Sequence, residues 1–209
     1  MSRLATARDF GWDGEPGVLY THFELDFPFV LERAEQIKGR FANKSTKILI
    51  VGCAMGTLVH LLTEAGYVNV WGSDASEWAI NEGKIAFPEI ADRLLVADAL
   101  NNSGNSLPSM TGVRRAAGLT GNQRFPLCIT DDILTVMSDA ECQTALTVLR
   151  ATASTLFHVI WPNILHKPDQ DPTLNWKIVP EEWQAFIGNG EWVMSADHGI
   201  VYGANGEPQ

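Results

Sequence analysis

The stretch from Lys47 to Thr57 constrains the fold of this chain more than any other segment. It is an apolar run that ends in two closely spaced glycines, Gly52 and Gly56, and the acidic residue Asp74 follows about 20 residues later. An apolar run that stops at glycines is typical of a buried strand that turns directly into a helix. With an acidic side chain after the next strand, the pattern indicates a site for a cofactor that contains adenosine.

The apolar periodicity of the remaining chain continues this alternation of strands and helices. We predict strands at 47–51, 68–72, 93–97, 125–129 and 155–161, and helices at 28–38, after Gly56, from Ser76 toward Ala86, after the capping box at Ser138, and at 181–187. Strands at this spacing form a parallel sheet. Two further strands, at 192–196 and 200–202, are predicted to close the sheet as an antiparallel hairpin turned at 197–199.

The 209 residues suit a single domain. Within it, residues 1–40 are expected to form an N-terminal helical cap. Residues 101–124 are rich in Asn, Ser and Gly and are predicted to be an inserted loop between the third and fourth strands. A loop of that length in a compact domain is either mobile or functional.

Composition excludes several classes of function. The net charge is −10, and the 15 Lys and Arg residues are scattered, so nucleic acid is a disfavoured partner. No apolar run approaches the ~20 residues that span a bilayer, and the first residues lack the apolar core of a signal peptide. We therefore expect a cytoplasmic protein with no membrane partner. The three cysteines have no C-x-x-C spacing, which favours reduced, mostly buried thiols.

The glycine turn differs from the dinucleotide fingerprint, because the third glycine of G-x-G-x-x-G is absent and Ala54 stands in the middle. It resembles motif I of the class I S-adenosylmethionine (SAM)-dependent methyltransferases. Residues 72–76 resemble the acidic motif of strand two in that family, 96–100 resemble the segment beside the adenine, and 125–134 resemble the strand-four motif.

This resemblance extends from about Lys47 to Trp161. It implies an α/β fold, Rossmann-like and doubly wound, with a mostly parallel seven-stranded sheet and a C-terminal antiparallel hairpin. It also implies SAM as the cofactor, and transfer of its methyl group to an oxygen or nitrogen atom of a small molecule or of a protein.

The resemblance assigns the SAM site residue by residue. Asp74 is expected to accept hydrogen bonds from both ribose hydroxyls, Asp98 from the adenine amino group, and Asp131 to face the amine or sulfonium of SAM. Glycines let the backbone approach the cofactor closely. The implied SAM-binding set is Gly52, Cys53, Ala54, Gly56, Asp74, Ala75, Asp98, Ala99 and Asp131.

Three departures from the family pattern leave other functions open. Ile50 stands where an acidic residue is usual, Ala54 replaces the middle glycine, and Pro126 stands where strand four usually has Asp. A non-catalytic binding or scaffold protein with a weakened cofactor site is one alternative. A nicotinamide-dependent reductase is another, although the missing third glycine argues against it.

The candidate catalytic residues are His166 and Asp131. His166 follows the predicted fifth strand at the carboxyl edge of the sheet, where open α/β folds bind ligands. His60 and His158 are predicted to have packing or surface roles. No His and carboxylate cluster has the spacing of a metal site, and the turn at 130–133 lacks the pattern of adenine methyltransferases. The methyl acceptor and the oligomeric state stay open.

Overall fold

The computed structural model describes residues 28–104, 108–135, 137–160, 180–188, 191–194 and 201–205. The described helices are α1 (Pro28–Arg40), α2 (Thr57–Glu64), α3 (Glu77–Ala86), α4 (Met110–Ala116), α5 (Asp139–Thr152) and α6 (Pro180–Ile187), with a 3₁₀ helix at Pro88–Arg93. The strands are β1 (Ile48–Val51), β2 (Val70–Asp74), β3 (Leu94–Val96), β4 (Phe125–Asp131), β5 (Ala153–Ile160), β6 (Glu191–Met194) and β7 (Val201–Asn205).

All of these strands belong to one sheet, in the order β3-β2-β1-β4-β5-β7-β6. Strands β1 to β5 pair with one another in parallel. Strand β7 runs antiparallel to β5 and pairs with β6 as an antiparallel hairpin. The predicted fold, a doubly wound α/β domain with a mostly parallel seven-stranded sheet, is confirmed. The predicted turn of the hairpin, 197–199, lies outside the described residues.

Strand β1 lies in the middle of the sheet and separates two hydrophobic cores. Ile48 and Ile50 point into the core beneath α1, α2 and α3, whereas Leu49 and Val51 point into the core beneath α4, α5 and α6. All four residues are buried, because a central parallel strand is covered by helices on both faces.

Two sequence predictions were wrong in position. Strand β2 ends at Asp74 rather than at Gly72, and Val68, which looked like its first residue, is exposed. The segment 101–124, predicted as a loop, contains helix α4, which Ser109 caps by accepting a hydrogen bond from the Gly112 N–H at 3.1 Å. Helix α4 spans only 7 residues, too few to display a clear helical period.

The other helix predictions agree with the structure to within a few residues. Helix α1 continues past Gly39 to Arg40, so that glycine does not end it. The predicted capping box of α5 is present, with Ser138 and Glu141 bonded reciprocally. Of the predicted N-terminal cap, only the part from Pro28 belongs to the described residues.

The turn that leaves β1 uses three residues in the left-handed backbone region. Gly52, Ala54 and Gly56 have φ values of 80°, 53° and 87°. A Cβ atom on Gly52 would lie 2.0 Å from Ile133 Cγ2, and one on Gly56 would lie 2.6 Å from Leu94 Cδ2. Packing within the protein therefore already requires glycine at both positions.

Replacing Ala54 by glycine should stabilise the fold. Alanine pays a steric penalty at φ 53°, and glycine does not, so we expect Ala54→Gly to raise the free energy of unfolding by about 0.5–1 kcal/mol in urea titrations. The matched substitution Ala140→Gly, at an exposed residue in α5, should lower the free energy of unfolding. Equal losses at both positions would show that the strain at Ala54 is absent in solution.

Substitution by alanine at two glycines inside helices should change the free energy of unfolding in opposite directions. A Cβ on Gly83 in α3 would lie 2.0 Å from the Met55 carbonyl oxygen, whereas one on Gly39 in α1 would meet nothing within 4 Å. Gly83→Ala should cost about 1–3 kcal/mol of stability, because α3 must move away from the turn after β1. Gly39→Ala should gain about 0.5–1 kcal/mol. Thermal and urea unfolding test both, and a tolerated Gly83→Ala would contradict this packing.

Candidate functional site

The carboxyl ends of four neighbouring strands, β3, β2, β1 and β4, form the candidate site. β1 pairs with β2 on one side and β4 on the other, so Asp74 at the end of β2 and Asp131 at the end of β4 flank the turn that begins at Gly52. The structure thus brings together the predicted residues of the turn, Gly52, Cys53, Ala54 and Gly56, with those that end or follow the strands, Asp74, Ala75, Asp98, Ala99 and Asp131.

Backbone hydrogen bonds fix the turn against β2. The N–H groups of Gly52 and Cys53 both donate to the Ser73 carbonyl, at 2.9 and 3.1 Å. The Ala54 N–H donates to Asp74 Oδ2 at 2.9 Å, and the Ser76 N–H donates to Asp74 Oδ1 at 2.8 Å. Asp74 therefore holds the turn and the start of α3 in one arrangement.

The Asp74 carboxylate has no ion-pair partner among the described residues. Burial raises its pKa above the ordinary value, the N–H groups of Ser76 and Ala54 oppose the rise, and the nearby charge of Asp131 adds to it. Each oxygen accepts at least one backbone hydrogen bond, the Ala75 N–H also stabilises the charged form, and the carboxylate keeps further acceptor capacity. Such a group can accept hydrogen bonds from a ligand that carries paired hydroxyls.

The segment after β3 lies beside Asp74. The Ala97 N–H donates to the Asp74 carbonyl at 2.8 Å, which ties this segment to the end of β2. Asp98 Oδ1 accepts from the Leu100 N–H at 2.8 Å, and Ala99 is buried. Asp98 is thus oriented by a local turn at the same edge of the sheet as Asp74.

Asp131 forms a buried ion pair that the sequence analysis missed. Arg33 Nη1 in α1 lies 2.6 Å from Asp131 Oδ1, and the two side chains are 11% and 8% exposed. Burial raises the pKa of Asp131, and the Arg33 guanidinium opposes that rise. The signal was present in the sequence, because Arg33 lies on the apolar stripe of Val30, Ala34 and Ile37, where a charge needs a buried partner.

A second contact joins α1 to the sheet next to this pair. The Tyr202 hydroxyl in β7 donates to Glu32 Oε1 at 3.0 Å. Burial and the Glu32 charge both raise the pKa of Tyr202, so the phenol stays protonated and keeps donating. Consecutive residues of α1 therefore bind two different strands of the sheet.

The residues after β4 close the turn from the other side. Asp132 has a φ of 55°, its N–H donates to the Val159 carbonyl at 2.9 Å, and its Oδ1 accepts from the Thr135 hydroxyl at 3.1 Å. Ile133 fills the space above Gly52. Strained residues that the surroundings hold in place cluster at functional sites, and Ala54 and Asp132 both lie at this edge.

The two histidines predicted to have packing or surface roles have such roles. His158 is buried in β5 with Nδ1 2.8 Å from Thr130 Oγ1, and burial lowers its pKa to about 3. His60 Nδ1 in α2 lies 2.6 Å from Glu89 Oε1, and its ring stacks on Phe87. His166, the other candidate catalytic residue, lies outside the described residues.

Within the described ranges, no group of three or more His, Cys, Asp and Glu residues is arranged to hold a metal ion. Cys53, Cys128 and Cys142 are buried and form no disulfide, as predicted. In the same part of the chain, no helix has the length and apolar character needed to cross a membrane.

The charges at this edge fit SAM better than a dinucleotide. Asp74, Asp98 and Asp131 lie at or just after the strand ends, and among the described residues Arg33 is the cation bonded to Asp131. A sulfonium and an ammonium group gain from such a surplus of negative charge, whereas a pyrophosphate is repelled by it. The free acceptor capacity of Asp74 also fits a ribose.

Comparisons by sequence find no relative. No family model matches the chain, and no curated protein matches it. The fold is therefore compared through solved structures.

Solved structures of similar fold include several methyltransferases. Magnesium protoporphyrin IX methyltransferase from Synechocystis PCC 6803, with SAH bound, superposes with a TM-score of 0.58 at 15% identity over 84% of this chain and 80% of that one. The N-methyltransferase NodS from Bradyrhizobium japonicum WM9, in complex with S-adenosyl-L-homocysteine (SAH), superposes with a TM-score of 0.59 at 13% identity, over 88% of this chain and 90% of NodS. The mitomycin 7-O-methyltransferase MmcR superposes with a TM-score of 0.58 at 13% identity, over 84% of this chain and 53% of MmcR.

The strand order, the two helical layers and these superpositions agree with the resemblance found in the sequence. The chain has the Rossmann-like fold of the class I SAM-dependent methyltransferases.

Proposed function

We propose that this protein is a SAM-dependent methyltransferase that acts on an oxygen or nitrogen atom of a small molecule. The observation that carries the proposal is the arrangement of Asp74 beside the turn after β1. Its carboxylate is oriented by two backbone N–H groups, is not neutralised by a cation of the described residues, and keeps acceptor capacity. Two solved structures of similar fold contain SAH, which supports a cofactor of this class.

Each end of the cofactor has a matching group on the chain. Asp74 would accept hydrogen bonds from the ribose hydroxyls, and Asp98 from the adenine amino group. Asp131 would face the ammonium group, with Arg33 holding its other oxygen. SAM would supply a methyl group on a positively charged sulfur: the acceptor atom forms a bond to the methyl carbon as the sulfur–methyl bond breaks, and neutral SAH leaves. The turn after β1 would orient the cofactor for this in-line transfer.

Proton removal is needed only when the acceptor must lose a proton. Asp131 is bound to Arg33, which favours its ionised form, so we assign it to binding rather than to proton transfer. His166 remains our candidate for the base on the acceptor side. A small molecule is the expected acceptor and a protein the alternative, and we expect neither nucleic acid nor membrane as a partner.

The similar structures include enzymes for both kinds of acceptor atom. NodS is described as an N-methyltransferase and MmcR as a 7-O-methyltransferase. The low identity leaves the acceptor atom of this protein to experiment.

Substitution of Asp74 should weaken SAM binding strongly. Titration calorimetry of the purified full chain with SAM and SAH should give micromolar binding, and Asp74→Ala should weaken it roughly 100-fold, because two charge-assisted hydrogen bonds are lost. NAD should give no heat. Asp92→Ala, which removes an exposed carboxylate from the 3₁₀ helix, is the matched control and should bind like the wild type.

The loss must be separated from unfolding, because Asp74 also bonds the backbone of the turn. Thermal unfolding of each variant provides that check, and Asp74→Asn, which keeps the side-chain shape, replaces Asp74→Ala if the latter does not fold. A folded wild-type protein that binds neither SAM nor SAH would refute the methyltransferase and favour a scaffold. Binding of NAD would favour a reductase.

A further inference from the structure

We propose that Arg33 is a positioning residue of the cofactor site: it holds one carboxylate oxygen of Asp131 so that the other faces the ammonium group of SAM. The inference rests on the proposed function and adds to it a residue from outside the four motifs. Helix α1 would thereby be part of the cofactor site rather than only a covering layer.

The geometry of the ion pair supports this role. Arg33 Nη1 contacts Asp131 Oδ1 at 2.6 Å, and no other hydrogen bond to the Asp131 side chain occurs within the described part of the chain. Asp131 Oδ2 thus retains its acceptor capacity. Since both side chains are nearly buried, removing Arg33 would leave the Asp131 charge poorly solvated and without an ion-pair partner among the described residues.

The surrounding groups make Asp131 depend on Arg33. Among the described residues, the Tyr202 hydroxyl, which donates to Glu32, and the Asp74 carboxylate also act on this region. Asp74 and Glu32 bring negative charge, and Tyr202 is neutral, so Arg33 is the group among them that favours ionised Asp131. Without Arg33, burial raises the pKa of Asp131 further, and the carboxyl takes up a proton more readily.

The test compares two ligands that differ at the end where Arg33 would act. SAM carries the ammonium and carboxylate groups, whereas 5′-methylthioadenosine keeps the adenosine and lacks both. Arg33→Met should weaken SAM binding by about 10-fold or more, because a charge-assisted bond is lost, and should leave 5′-methylthioadenosine binding unchanged. Arg33→Lys should weaken SAM binding less than Arg33→Met, because lysine keeps the positive charge. Arg40→Met, on the same helix and above Phe157, is the matched control.

The pH profile adds a readout that a purely structural role would not change. As pH falls from about 8 to about 6, SAM affinity should decrease more for Arg33→Met than for the wild type, because Asp131 takes up a proton more readily once Arg33 is absent. An equal loss for both ligands, or wild-type SAM affinity in Arg33→Met across this range, would overturn the inference.

A double variant covers the case in which Arg33→Met does not fold. Arg33→Met combined with Asp131→Asn removes both charges of this ion pair, so Asp131 is not left as a buried charge without Arg33. It should fold, bind 5′-methylthioadenosine like the wild type and bind SAM at least 10-fold more weakly. Wild-type SAM affinity in the double variant would overturn the inference alone, whereas a wild-type protein that binds no SAM would overturn the proposed function as well.

Discussion

The burial of β1 on both faces is the constraint on which the rest of the structure depends. The side chains of its four residues pack into two separate hydrophobic cores, and the strand pairs with both β2 and β4. This strand passes into α2 through a tight turn of five residues, 52–56. The left-handed residues after Val51 provide that turn and place it between Asp74 and Asp131.

The glycines of this turn have a different physical reason from the one that the sequence suggests. Their missing Cβ atoms leave room for Ile133 and Leu94, so the turn needs them with or without a ligand. The stronger support for a cofactor comes from the carboxylates. Asp74 is held by backbone N–H groups and keeps acceptor capacity, which the packing of a turn does not require.

Helix α1 is attached to the sheet by polar contacts as well as by packing. Val30, Ala34 and Ile37 bury the apolar stripe, while Arg33 and Glu32 reach Asp131 and Tyr202. A buried ion pair contributes little net stability compared with apolar residues of the same volume, but it fixes orientation, since only one geometry satisfies both charges. That property suits a carboxylate that has to face a ligand in one direction.

The sequence by itself determined the alternation of strands and helices, the capping box at Ser138 and the order of the acidic strand ends, because these depend on local periodicity and turn chemistry. It misplaced β2 and missed α4, whose short span carries too weak a period. Only the tertiary structure decided that Arg33 meets Asp131, 98 residues away, and that Ile133 fills the space above Gly52. Such contacts depend on which elements pack side by side, and no local pattern specifies a partner so far along the chain.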